Sequence, residues 1–78
     1  MLILRDFIKN GKILTMTVLV EGKEETAYRL TVDTEPEFFK TLESEIPDEF
    51  KSYERQAKVA LRRYRGQELP ERVVSMWY

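Results

Sequence analysis

The chain has 78 residues, of which 42% are hydrophobic and 12% aromatic, with a formal net charge of −1. That is enough for one small folded domain (1–78) near the lower size limit for independent folding. Cysteine and histidine are both missing, which excludes disulfide staples, Cys/His zinc sites, thiol nucleophiles and imidazole bases.

The opening stretch, MLILRDFIK, carries an apolar run of four residues before its first charge. That run is too short for a signal-peptide core or a membrane span, so a cytoplasmic protein is expected. Residues 2–8 (LILRDFI) and 12–20 (KILTMTVLV) flank Asn10-Gly11, a strong hairpin signal. A two-residue Asn-Gly turn puts Ile3, Arg5 and Phe7 on the face of Met16. A three-residue loop with Gly11 in a left-handed position puts Leu2, Leu4 and Ile8 there instead. The second choice gathers more aliphatic residues and is favoured, with Asp6 as its misfit.

Residues 25–33 (ETAYRLTVD) alternate cleanly, with Thr26, Tyr28, Leu30 and Val32 on one face. Matching them to Leu14, Met16, Val18 and Val20 aligns Val18 with Tyr28 and Met16 with Leu30. The first three strands therefore form an antiparallel meander.

Thr34-Glu35-Pro36-Glu37 reads as a capping box with proline in the first turn. It predicts a short helix to about Glu45, with Phe38, Leu42 and Phe39 inward. Pro47 ends it and starts a longer helix to about Arg65, closed by Gly66. On this helix Phe50, Tyr53, Ala57, Ala60, Leu61 and Tyr64 form one apolar stripe. Residues 72–78 (RVVSMWY) read as a last strand, beside either the first or the third. The expected fold is α+β, in the order β-β-β-α-α-β. It has a three-stranded meander, a short and a long helix on one face, and a C-terminal fourth strand joining the sheet.

Charge is unevenly spread. Residues 33–49 hold seven acids against Lys40, and residues 50–72 hold seven bases against three acids. Lys51, Arg55, Lys58, Arg62 and Arg65 recur at helical spacing as a basic stripe separate from the apolar one. Such a stripe suits an acidic protein surface or the phosphates of a nucleic acid. A solvated helix face is the more ordinary explanation, with Glu43 and Glu45 of the acidic segment supplying counter-charges.

A second candidate surface is apolar. Ile13 and Leu19 lie on the face of the sheet turned from the expected core. Together with Val73 and Trp77 they would make an exposed row for another chain or a second copy. The residues expected of acid–base or nucleophilic catalysis are lacking, and the three glycines stand singly, away from any phosphate-loop pattern. The sequence thus points to a small non-enzymatic protein-interaction module, without cofactor or metal. A nucleic-acid-binding module using the basic stripe is the alternative.

Overall fold

A computed structural model describes residues 1–76. Its elements run β1 (Leu2–Asn10), β2 (Ile13–Val20), β3 (Ala27–Asp33), β4 (Lys40–Ser44), α1 (Lys51–Arg62) and β5 (Arg72–Ser75). The strands form one antiparallel sheet in the order β4-β3-β2-β1-β5. The α+β class holds, but the element order is β-β-β-β-α-β.

The expected short helix does not form. Its place is taken by β4, which pairs antiparallel with β3 from Leu30↔Ser44 to Asp33↔Lys40. Pro36 and Pro47 leave about ten residues between them, too few for a helix without strong packing. Pairing with β3 supplies backbone partners and covers an edge of the sheet instead. The capping-box residues serve other ends. The Thr34 N–H and hydroxyl both donate to the Lys12 carbonyl, at 2.8 and 2.9 Å. The Glu35 N–H donates to Asp33 Oδ1 at 2.9 Å, an Asx-turn that changes the chain direction.

The strand period reverses the predicted facing. Phe39 is buried at 7% exposure, while Phe38 and Leu42 are 68% and 44% exposed. Phe38 and Leu42 share a face on a helix, but in β4 the core side falls to Phe39, Thr41 and Ser44. Leu42 sits where the β3–β4 register shifts, between Thr31↔Glu43 and Val32↔Thr41, as the extra residue of a bulge.

The β2–β3 alignment is as expected, with Val18↔Tyr28 and Met16↔Leu30. The first hairpin fits neither anticipated loop. Asn10 pairs with Ile13 around a Gly11-Lys12 turn, and the β1–β2 register shifts between Arg5 and Ile8. Asp6, the misfit residue, is at the shift with φ 56°. Leu2 and Leu4 join the core row, whereas Ile8 falls on the opposite face, 59% exposed.

The last strand lies beside β1, antiparallel to it. Trp77 and Tyr78 lie outside the described residues. A 3-10 turn at Asp48–Phe50 leads into α1, which is shorter than predicted. The helix ends at Arg62 with Arg63 as its C-cap, so Gly66 is not its C′ residue; with φ +76° it sits in the turn in which the Gln67 N–H donates to the Tyr64 carbonyl at 2.8 Å. All six residues of the predicted apolar stripe pack into the core: Ala57, Ala60 and Leu61 fully, Phe50, Tyr53 and Tyr64 in part. They meet Leu2, Leu4, Met16, Val18, Leu30 and Val32 from the sheet. Among the described residues, no helix is long and apolar enough to cross a membrane.

Candidate interaction site between the helix and the edge strand

The core stripe sets which way the rest of α1 points. One flank carries Glu54, Lys58 and Arg65 and faces the stretch from Glu35 to Ser44; the other carries Gln56, which reaches Ser75 on β5. Contacts across the first flank come in reverse chain order. Arg62 lies 4.3 Å over the ring of Phe38. Lys58 Nζ donates to Thr41 Oγ1 at 3.0 Å, and that hydroxyl donates to Glu54 Oε2 at 3.2 Å. The Ser44 hydroxyl also hydrogen-bonds the Glu54 carboxylate. From Glu54 to Arg62 the helix thus runs antiparallel to residues 38–44.

This arrangement gives each member of the basic stripe a distinct fate. Lys51 pairs with Glu54 at 3.2 Å. Lys58 is held by Thr41. Arg65 donates to the carbonyls of Glu35, Pro36 and Glu37 at 2.8, 2.8 and 3.1 Å, and lies 5.7 Å from the centre of the Phe39 ring. Arg62 stacks on Phe38. Arg55 is exposed, with no side-chain partner among the described residues.

The acidic segment therefore holds the stripe mainly through carbonyls, a ring and a hydroxyl. Its carboxylates are turned elsewhere. Glu35 pairs with Lys12. Glu45 accepts the Arg29 N–H at 2.9 Å, and Glu43 lies opposite Thr31, on the face turned from α1. Glu54, on the helix itself, is the acid that meets the stripe. Its partial burial pushes its pKa up, but hydrogen bonds from Ser44, Lys51 and Thr41 and the Lys51 charge outweigh this and hold it below the ordinary value.

Between Phe38, Phe39 and α1 lies a hollow of about 230 Å³, also lined by Arg55, Lys58, Val59 and Arg62. An adjoining open hollow of about 600 Å³ is lined by Glu37, Val59, Arg62, Arg63 and Arg65. Val59 and Arg62 are the wall they share. The combined surface has Phe38 and the 39% exposed Val59 at its centre. Around them stand five cations and Glu37 as the sole acid. Phe38, Val59 and Arg63 were not marked by the sequence pattern. A helical assignment of residues 34–45 turns Phe38 inward and hides the site.

The apolar candidate set does not form one surface. Val73 lies opposite Leu4 in the core at 4% exposure. Leu19 and Ile13 are on the other face, and Trp77 lies outside the described residues. Leu19 shares a row with Ile3, Val74 and Ala27, yet it is only 3% exposed. Residues 21–26 fold over that corner. Glu24 pairs with Arg5 at 2.6 Å, and Gly22 sits so close to Met1 and Ile3 that a Cβ there would meet Met1 Cε at 2.6 Å.

A further open cleft of about 610 Å³ lies between β1 and the chain entering β5, lined by Arg5, Asp6, Phe7, Leu69, Pro70, Glu71 and Arg72. Its two bases and two acids balance, so it selects no sign of ligand. Among the described residues, no three acidic side chains gather as metal ligands. No family model, curated protein or solved structure matches this chain.

Proposed function

We propose that the chain is a non-enzymatic interaction module that captures an acidic, partly apolar segment of a partner protein between α1 and residues 36–41. The carrying observation is the exposure of Phe38 and Val59 inside a ring of five cations and one acid. Exposed aromatic and aliphatic groups supply contact area, and Arg is favoured at protein interfaces for its flat, multiply donating head. The absence of histidine and cysteine from the sequence supports the non-enzymatic reading.

A protein segment suits this surface better than a phosphate backbone. Tracking phosphates needs a line of free cations, but Lys51, Lys58 and Arg65 are engaged within the chain. The less committed charges, Arg55, Arg62 and Arg63, cluster about an apolar centre. Self-association through the other sheet face is less supported, since Leu19 in its apolar row is only 3% exposed and Val73 faces the core.

The test is a titration of labelled peptides and a single-stranded RNA oligomer against the wild type and the double variant Arg55→Glu/Arg63→Glu. Binding of acidic-apolar peptides that falls at least about tenfold in the variant supports the proposal. Tighter binding of the RNA, with a log–log salt slope of about −3 or steeper, would replace it with nucleic-acid recognition.

A further inference from the structure

We infer that the partner segment binds as a sixth strand along the free edge of β4, beneath the cationic flank of α1. This deepens the proposed function and rests on its acidic partner.

β4 is the terminal strand of the sheet beyond β3, and its outer edge has no strand against it among the described residues. Such an edge presents unpaired N–H and C=O groups that an extended chain can satisfy. The added strand would lie about 4.8 Å beyond β4. Arg62 over Phe38, Lys58 on Thr41 and Glu54 beside Ser44 show that α1 from Glu54 to Arg62 faces residues 38–44. Core-side residues of the added strand would therefore point under the α1 flank that carries Lys51, Arg55, Lys58 and Arg62.

Residues on one face of a strand recur every ~6.8 Å. Lys51 and Arg55 are separated by ~6 Å along the helix axis, and Lys58 and Arg62 continue the row at a similar interval. Acids of the strand would meet Arg55 and Arg62, which pair with no carboxylate among the described residues, and the strand's end would reach the hollow at Phe38. At the free edge of β5 the α1 contact given is uncharged, from Gln56 to Ser75.

The same features select against a second copy of this chain. β4 itself carries one base and one acid, Lys40 and Glu43. Its acid, Glu43, faces away from α1, so a second β4 would bring no carboxylate to the cations.

The probe is a peptide of about seven residues alternating glutamate and valine, with two analogues N-methylated at odd or at even residues. In a strand, successive N–H groups point to opposite sides, so one pattern blocks pairing with β4 and the other does not. Strand addition predicts parent-like affinity for one analogue and a loss of at least about tenfold for the other, as two or more backbone hydrogen bonds vanish. It also predicts slowed hydrogen exchange at amides of residues 40–44. Equal binding by the parent and both analogues would overturn strand addition while leaving acidic-segment capture standing. Failure of the parent peptide to bind at all would overturn both.

Discussion

The guanidinium of Arg62 lies 4.3 Å over the ring of Phe38, and that ring remains 68% exposed. A cation over an exposed ring contributes only about 0.5–1 kcal/mol. Its neighbour Phe39 is 7% exposed and belongs to the core. Phe39→Ala should therefore destabilise the fold by roughly 3–5 kcal/mol, and Phe38→Ala by less than about 1 kcal/mol. Urea unfolding of the two variants checks this. Equal losses would mean that Phe38 is a packing residue and leave the hollow without its apolar floor.

Arg65 ties three successive carbonyls to the end of α1. A guanidinium can reach all three because its donors form a planar fork; an ammonium is a point donor. Arg65→Lys should keep the charge yet lose most of this anchoring, at a cost of about 1–2 kcal/mol for an exposed charge-assisted cluster. Hydrogen exchange of residues 35–39 should accelerate selectively. If exchange there is unchanged, those carbonyls are held by the strand geometry alone.

What was legible in the sequence had a single consistent period. The α1 stripe from Phe50 to Tyr64 and the pairing of Val18 with Tyr28 both came from uninterrupted patterns, and both are found. Errors arose where a bulge changed the period. One extra residue near Asp6 carries β1 from Leu4 inward to Ile8 outward, and one at Leu42 does the same to β4. Residues 34–45 added a second difficulty, since Thr34-Glu35-Pro36-Glu37 suits a helix start while Asp33 just before it suits an Asx-turn. Burial of Leu19 was not legible because the connection that folds back at that corner, residues 21–26, has no periodicity. The fate of the basic stripe depended on the same misassigned segment: only when residues 35–41 are extended do their carbonyls, ring and hydroxyl come within reach of Arg65, Arg62 and Lys58.

Asp6 holds φ 56° at the β1 bulge. Asp is among the side chains that tolerate this left-handed conformation; a β-branched residue is not. Asp6→Val should destabilise by about 1–2 kcal/mol. Asp6→Gly should be near neutral, because glycine accepts the conformation and the exposed contact with Arg5 contributes little. Denaturant midpoints distinguish the two. A tolerated valine would show that the bulge can relax and is not required for turning Ile8 outward.

Glu54 gives the fold a pH dependence with a definite sign. Burial opposes its ionisation, yet hydrogen bonds from Ser44, Lys51 and Thr41 together with the Lys51 charge lower its pKa in the folded chain. The folded protein therefore holds the Glu54 proton more weakly than the unfolded chain does. The resulting stabilisation is present above the ordinary glutamate pKa and is lost as pH falls through the lowered folded-state value. Glu54→Gln keeps the shape and removes the charge. Wild type should be more stable than the variant near neutral pH, and the gap should shrink on acidification below about pH 4.5. The contribution is limited by the partial exposure of the carboxylate, which lets solvent screen the Lys51 pair. Because Thr41 and Lys58 share this network, the variant should also quicken amide exchange along β4. Equal stability of wild type and variant at neutral pH would show that Glu54 acts by shape alone, and that its charge does not fasten the helix to the edge strand.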